Sequence, residues 1–366
     1  MTSRDDVMQA LQKVDDPELG RSIVELGMVR HAEVKNGDVA ITISLTIPGC
    51  PLKDSFHTQV DEHVGGLEGI KSIELSFDVL SSDEKSVLAS KLRSTGSSSD
   101  SETHIDPSIR VIAIASGKGG VGKSSLTVNL AAALAQQGRR VGVIDADIYG
   151  HSIPLMLGID QKPVVVDELI VPPVKYGLKV MSIGFFLEEN TPVMWRGPML
   201  HKALEQFLKD VHWGSLDDLV VDMPPGTGDV SISLAQLLPH AEAVVVTTPQ
   251  PAAQEVAVRA ALMARKVGMR IAGVVENMSY LVDTGQDLFG SGGGQKLSAE
   301  VSVPLLGHVP FDPRLRELVD EGRLIVLEDS EAEVSRSIEA IAGELIATRL
   351  GPSATMGKRL PLMQNS

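Results

Sequence analysis

One short segment constrains the fold of this 366-residue chain more than any other. Residues 117–124 read Gly-Lys-Gly-Gly-Val-Gly-Lys-Ser and fit the pattern G-x-x-x-x-G-K-[ST]. A short apolar run, Val111–Ala115, precedes the segment, and a helical pattern, Ser124–Gln137, follows it. Glycines let backbone N–H groups curl around phosphate oxygens, and the helix N-terminus adds the positive end of its dipole. The order of strand, glycine loop and helix therefore predicts a phosphate-binding loop.

The side chains of this loop predict the ligand. Lys123 is expected to reach the β- and γ-phosphates of ATP, and the Ser124 hydroxyl to ligate Mg²⁺. We therefore expect ATP and Mg²⁺ as cofactors and hydrolysis of ATP as the reaction. The predicted nucleotide-binding residues of the loop are Gly117, Lys118, Gly119, Gly120, Val121, Gly122, Lys123, Ser124 and Ser125.

Short apolar runs alternate with helical patterns through the larger part of the chain, as in a sheet buried on both faces. This alternation predicts an α/β fold with a doubly wound, mainly parallel sheet, preceded by a small α+β domain. Ligands of such sheets bind at the carboxyl ends of the strands. The predicted strands are Val111–Ala115, Val141–Ile144, Leu219–Val221, Ala243–Val246 and Ile271–Val275.

Polar residues follow three of these strands directly. Asp145 and Asp147 come after one strand, and Asp222 after another, where a carboxylate is placed to hold a magnesium ion or its water. Asn277 follows a third strand, and its amide can both donate to and accept from adenine. A turn-capping role explains Asn277 as well.

The domain organisation follows from composition. A run of small polar residues predicts a flexible linker at 94–107. It separates a small domain at 1–93, with the element order α-β-β-α-β, from a nucleotide-binding domain at 108–350. The polar segment 351–366 is expected to be a disordered tail.

Charge and cysteine content restrict the partners. The net charge is −15, which disfavours nucleic acid and anionic membrane surfaces as partners. Cys50 is the single cysteine, so no disulfide can form within the chain. The segment Met1–Asp6 lacks the apolar core of a signal peptide, and the cytoplasm is the expected location.

Lys118 is a second lysine in the loop, and with it the loop resembles the deviant phosphate-loop family that includes MinD, ParA and nitrogenase iron protein. The resemblance implies a homodimer in which Lys118 reaches the nucleotide of the partner subunit. It also implies that Asp147 orients the attacking water and that Asp145 lies near the Mg²⁺ shell.

Other motifs narrow the resemblance to the Mrp/ApbC family of iron–sulfur cluster carriers. The N-terminal part resembles the small domain of iron–sulfur assembly factors. This similarity implies delivery of clusters to apo iron–sulfur client proteins. The motifs are Asp147–Ser152, Trp195–Met199, Asp222–Asp229, Glu276–Ser279 and, in the small domain, Pro48–Pro51.

One departure affects the cargo. The family usually carries a C-x-x-C after the segment that corresponds to Glu276–Ser279, but residues 280–287 contain no cysteine. Clusters are normally held by thiolates, so any cluster is expected to be labile and to depend on Cys50. Cys50 is equally well explained as a small buried apolar residue. The alternative function is a MinD- or ParA-like ATPase switch or scaffold that binds no cluster.

Overall fold

We analysed a computed structural model that describes residues 2–48, 52–94, 105–147, 150–186, 197–226, 228–238 and 240–348. The described part of the small domain begins with a helix that Ser3 caps and ends with a long helix after the last strand. Its elements are α1 (Arg4–Leu11), β1 (Asp15–Asp16), β2 (Arg21–Ser22), α2 (Ile23–Leu26), β3 (Val29–Lys35), β4 (Asp38–Leu45), α3 (Lys53–His63), β5 (Ser72–Val79) and α4 (Ser82–Ser94).

The small domain is built around a three-stranded sheet in the order β3-β4-β5. The β3–β4 pair is antiparallel and the β4–β5 pair is parallel, which agrees with the predicted α+β class. Alternate residues of β4 point into the core, where Val39, Ile41 and Ile43 are buried against Phe56 of α3. The sequence pattern did not predict α4, which supplies Leu88 and Leu92 to the same core.

The second part of the chain alternates strands and helices as predicted. Its elements are β6 (Arg110–Ser116), α5 (Lys123–Gln136), β7 (Val141–Asp145), α6 (Ile153–Met156), β8 (Val164–Val166), β9 (Leu169–Val171), β10 (Val174–Lys175), β11 (Leu178–Ser182), a 3₁₀ turn (Ile183–Phe186), α7 (Gly197–Lys209), β12 (Asp218–Asp222), α8 (Asp229–Leu237), β13 (Glu242–Thr247), α9 (Pro251–Lys266), β14 (Arg270–Leu281), α10 (Gly293–Glu300), β15 (Leu305–Phe311), α11 (Pro313–Asp320), α12 (Ile325–Glu328) and α13 (Glu333–Ala347).

An eight-stranded sheet forms the centre of this part, in the order β10-β11-β7-β12-β6-β13-β14-β15. All neighbouring strands are parallel except the edge strand β10. Alternate residues of β6 enter different cores: Ile112 and Ile114 face the helices α5 and α13, while Val111 and Ala113 face α7 and α9. Burial on both faces explains the continuous apolar runs, and the predicted fold class is confirmed.

A β-hairpin of the second part, β8–β9, packs into the core of the small domain. Val164, Val166, Leu169 and Val171 belong to the same apolar cluster as the buried residues of α1 and α4. Arg93 of α4 donates to the Asp167 carbonyl at the hairpin turn over 2.8 Å. The hairpin of the second part therefore completes the core of the small domain.

The predicted boundaries at the linker and tail stay predictions, because residues 95–104 and 349–366 lie outside the described residues. In the described part of the chain, no helix combines the length and apolar character needed to cross a bilayer.

Candidate nucleotide site

The predicted phosphate loop connects β6 to α5 at the carboxyl edge of the sheet. Gly120 and Gly122 have φ angles of 79° and 80°, a left-handed backbone that glycine adopts without strain. Gly117 is needed for a different reason, because a Cβ there would lie 2.3 Å from the Val256 carbonyl carbon of α9. The loop is therefore packed directly on the backbone of a neighbouring helix.

Lys123 lies in the loop at the start of α5 and is 6% exposed. Its Nζ is 2.8 Å from Asp222 Oδ1 and 3.7 Å from Asp147 Oδ2. Ser124 Oγ donates to Asp222 Oδ2 over 2.6 Å. Strand order thus brings Lys123, Asp147 and Asp222 together although they are far apart in sequence. They follow or end β6, β7 and β12, which are adjacent strands of the sheet.

Thr127 is a site residue that the sequence pattern did not single out. Its Oγ1 lies 2.8 Å from Asp222 Oδ1 and 2.9 Å from the Lys123 carbonyl, and the side chain is fully buried. The only signal for it was a hydroxyl one helical turn after Lys123, on the same face of α5. Thr127 helps to fix the Asp222 carboxylate that faces Lys123 and Ser124.

Asp145 is fully buried at the end of β7, and backbone and side-chain donors occupy both of its oxygens. Oδ1 accepts the Asp147 N–H over 3.2 Å, while Oδ2 accepts Ser182 Oγ over 3.0 Å and the Ile153 N–H over 3.3 Å. Burial, with the Asp222 charge added, raises the pKa of Asp145 to about 7. In this structure Asp145 organises the surrounding loops, and its role near Mg²⁺ stays a prediction.

Asp147 follows β7 and is half-buried. Burial raises the pKa of its carboxyl, and the nearby Lys123 ammonium acts in the opposite direction. Asp147 Oδ1 also accepts the Gly150 N–H over 3.3 Å. The structure thus places this carboxylate beside the phosphate-loop lysine, within reach of a ligand that Lys123 would contact.

Two other predicted residues also contact the loop or its surroundings. Lys118 Nζ donates to Gln250 Oε1 over 3.2 Å, at the start of α9. Asn277 is 9% exposed, and its Nδ2 donates to the Val121 carbonyl over 2.9 Å. In this structure Asn277 supports the phosphate loop, so its contact with adenine stays a prediction, as does the reach of Lys118 across a dimer.

The predicted residues are not all described. Ser125 lies on the first turn of α5, and its carbonyl accepts from Asn129. The Gly226 N–H donates to the Ser116 carbonyl over 2.8 Å, which holds the loop after β12 against β6. Cys50, the segment 187–196 and Thr227 lie outside the described residues.

The oxygen atoms at this site are suitable ligands for a magnesium ion that would also bind the phosphates of a nucleotide. Mg²⁺ prefers oxygen ligands and is commonly held by one or two side chains together with phosphates and water. Ser124 Oγ and the Asp222 carboxylate provide such oxygens next to the loop. Among the residues that the structure describes, no group of three or more His, Cys, Asp or Glu side chains could hold a metal ion by itself.

The fold and this site define a P-loop nucleoside-triphosphatase. A family model described as "NUBPL iron-transfer P-loop NTPase" matches residues 108–346, and a model described as "Iron-sulfur cluster assembly protein" matches residues 4–77. The chain belongs to this family of iron-transfer P-loop NTPases, and the resemblance inferred from the sequence is confirmed.

Similar proteins cover nearly the whole chain. A protein of Mycobacterium leprae named iron-sulfur cluster carrier protein is 49% identical, over 93% of this chain and 91% of that protein. A Synechocystis protein of the same name is 42% identical, over 94% of this chain and 97% of its own length. Among solved structures, a nucleotide-binding protein of Archaeoglobus fulgidus in complex with ADP is 37% identical with a TM-score of 0.52, covering 62% of this chain and 90% of that chain.

Proposed function

We propose that this protein is an Mg²⁺-dependent ATPase that carries iron–sulfur clusters to apoproteins as a homodimer in the cytoplasm. The observation that carries the proposal is the convergence of Lys123, Ser124, Asp147 and Asp222 at one edge of the sheet. That site occurs in a chain that is 49% identical to a protein named as a cluster carrier.

The contacts in the structure suggest how the residues act in hydrolysis. The buried Lys123 ammonium, which faces the Asp222 carboxylate, would turn to the β- and γ-phosphates of a bound nucleotide, because phosphate oxygens also accept charge-assisted hydrogen bonds. Ser124 and Asp222 would hold Mg²⁺, which when bound neutralises charge on the phosphates. Asp147, freed from Lys123, would accept a hydrogen bond from the attacking water and align it.

A dimer would supply what a single subunit lacks. Lys118 Nζ donates to the neutral Gln250 Oε1 over 3.2 Å. Among the described residues, no carboxylate forms an ion pair with the Lys118 ammonium. Two phosphate groups facing each other across a dimer would repel, and a cation from each subunit would offset that repulsion.

The cluster is cargo in this proposal, and its ligands are incomplete within one chain. Cys50 is the single thiol, so a dimer offers two protein thiolates. Small thiols or the cysteines of a client protein would have to complete the ligand set, because clusters are normally held by thiolates. A cluster that the protein holds through only some of its ligands is easier to release to an apoprotein than one that the protein binds permanently.

Anaerobic reconstitution tests the two activities separately. Wild type and the Cys50→Ser and Lys123→Ala variants are incubated with iron, sulfide and a small thiol, and then assayed for iron per dimer and for ATP turnover. We expect wild type to bind a cluster and hydrolyse ATP, Cys50→Ser to lose the cluster only, and Lys123→Ala to lose turnover only. Equal cluster occupancy in wild type and Cys50→Ser would contradict the role of Cys50.

A second function has one observation in its favour, the absence of cysteine from residues 280–287. On this reading the protein is a nucleotide-dependent switch or scaffold that binds no cluster itself. ATP turnover by wild type without any cluster uptake, even with a small thiol or an apoprotein present, would favour this second function over the carrier.

A further inference from the structure

The small domain docks on the nucleotide-binding part through a polar cluster as well as through the apolar hairpin. Asp16 and Glu18, in the turn between β1 and β2, are 4% and 7% exposed. Lys179 of β11 lines a cavity of about 530 Å³ together with Leu19 and Gly20 of that turn, and His212 lies just after α7. Lys179 Nζ donates to the His212 carbonyl over 3.3 Å, and the His212 ring makes a hydrogen bond to the backbone of Leu19.

Buried charges make this contact sensitive to substitution. The Asp16 and Glu18 carboxylates attract the Lys179 ammonium, while burial lowers its pKa to about 8. His212 Nε2 is buried without a hydrogen-bond partner. Substituting one of these buried polar groups is costly, because its neighbours stay out of water without the interaction that offsets their burial. The interface is therefore expected to be sensitive to single substitutions in this cluster.

The strand that carries Lys179 ends at the nucleotide site. β11 has five residues, with Lys179 second and Ser182 last, so the two side chains are roughly 10 Å apart along the strand. Ser182 Oγ donates to Asp145 Oδ2, and Asp145 Oδ1 accepts the Asp147 N–H. The strand β11 therefore connects Lys179, at the interface with the small domain, to the segment from Asp145 to Asp147 beside the predicted position of the phosphates.

A second connection leads from the same carboxylate to the hairpin. Asp145 Oδ2 accepts the Ile153 N–H at the start of α6, and the chain runs from α6 into β8. The segment 158–165 and Ile47 of the small domain line a cavity of about 800 Å³ between the two parts. The hairpin is in turn anchored to the segment after α7, because the Ile170 N–H donates to the Asp210 carbonyl over 2.8 Å and the Ile170 carbonyl accepts the His212 N–H over 2.7 Å.

We infer that the small domain regulates the nucleotide site, because both β11 and the α6–β8 segment join its docking surface to Asp145. A nucleotide contacted by Lys123 would act on the Asp147 carboxylate 3.7 Å away, and so on the segment that Asp145 holds. Order imposed on that segment by one binding event leaves less conformational entropy to be lost in the other. Docking and nucleotide binding therefore favour each other by the same factor, since coupling between two binding equilibria is reciprocal. This inference rests on the nucleotide binding proposed above but requires neither hydrolysis nor a cluster.

The experiment uses the full chain and two measurements: nucleotide affinity by calorimetry with ADP and a non-hydrolysable ATP analogue, and hydrogen exchange of the hairpin, residues 164–171. In wild type, saturating nucleotide should slow hairpin exchange about fivefold or more. Lys179→Met should speed hairpin exchange and weaken nucleotide binding by a similar factor. Asp16→Asn, which keeps the lysine, should act in the same direction if Lys179→Met fails to fold.

Ser182→Ala separates docking from coupling. Its hairpin should exchange as in wild type without nucleotide, but nucleotide should slow that exchange less than in wild type, because only the connection through Ile153 and α6 remains. Two control variants should behave as wild type. Lys296→Met removes an exposed lysine of α10, and Ser298→Ala removes a part-buried hydrogen bond from a serine hydroxyl to the Val303 carbonyl.

Two results would overturn the inference while leaving the proposed function intact. One is nucleotide binding by wild type without any change in hairpin exchange. The other is a Lys179→Met protein whose hairpin exchanges fast while its nucleotide affinity stays at the wild-type value. Failure of wild type to bind either nucleotide would instead overturn the proposed function and the coupling together.

Discussion

The close packing of Gly117 on α9 gives a quantitative prediction for Gly117→Ala. The added Cβ would lie 2.3 Å from the Val256 carbonyl carbon and 2.4 Å from the Ala257 nitrogen, whereas ordinary contacts begin at 3.4 Å. Both obstacles are helix backbone, so they cannot rotate away as a side chain would. The loop or α9 must therefore move by about 1 Å to accept one methyl group.

Overpacking of this kind costs about 1–3 kcal/mol. For a folded unit of this size, that cost lowers the melting temperature by about 2–10 °C. A displacement of about 1 Å in a group that positions the phosphates is expected to lower kcat/KM for ATP by about 100-fold. Thermal melting followed by tryptophan fluorescence measures the first effect, and steady-state phosphate release measures the second.

Gly119→Ala is the matched control for stability, because no atom lies within 4 Å of its added Cβ and its φ lies outside the left-handed region. We expect its melting temperature to equal or slightly exceed that of wild type, since alanine restricts the unfolded chain by about 0.4–1 kcal/mol. A Gly117→Ala protein that melts with wild type and keeps its kcat/KM would refute the packing argument.

Four further outcomes are expected. Lys123→Ala should lose nucleotide binding, because it removes the ammonium that faces Asp222 over 2.8 Å, and undiminished turnover would refute the site. Asp147→Ala should bind ATP with near wild-type affinity but hydrolyse it at least about 100-fold more slowly, as seen in single-turnover assays. Lys118→Ala should weaken the dimer formed with a non-hydrolysable analogue in sedimentation experiments, and identical association would exclude a role across the dimer. Burial raises the pKa of Glu18 to about 7, so protonation of Glu18 stabilises the fold as the pH falls from 7 to 4.5. Burial lowers the pKa of His212 to about 4, so the cost of protonating His212 destabilises the fold as the pH falls from 6.5 to 4. Glu18→Gln removes the stabilising effect of Glu18 and keeps the His212 effect, worth up to about 3 kcal/mol, so acidification from pH 6.5 to 4 should lower its melting temperature relative to that of wild type.

The central strands were predictable because each is buried on both faces and so consists of an unbroken apolar run. β11 escaped prediction for a reason that the structure makes clear. Lys179 interrupts its apolar pattern, and that lysine lines the cavity between the sheet and the Leu19–Gly20 turn of the small domain. β15 is interrupted in the same way by His308, whose Nδ1 lies 3.0 Å from Glu276 Oε1.

The phosphate loop was predictable as a contiguous motif, but its partners depend on strand order. Lys123, Asp147 and Asp222 meet only because β7, β12 and β6 are consecutive strands of the sheet. Asn277 shows the limit of the pattern. The apolar run predicted a strand that ends before Asn277, whereas β14 continues to Leu281 and includes it, and the contact of Asn277 with the Val121 carbonyl depends on how β14 lies beside the loop. Thr127 was missed because its importance is set by Asp222, which is remote in sequence.

The hairpin β8–β9 also bears on how this protein can be divided and how it can evolve. Cutting the chain between residues 94 and 107 would leave Val166 and Val171, now 0% and 2% exposed, facing water on one fragment. The other fragment would expose the apolar face of α4 that packs on β8. Neither fragment is expected to be as soluble as the whole chain. Because the hairpin and α4 pack on each other, a substitution in one is expected to require a compensating substitution in the other.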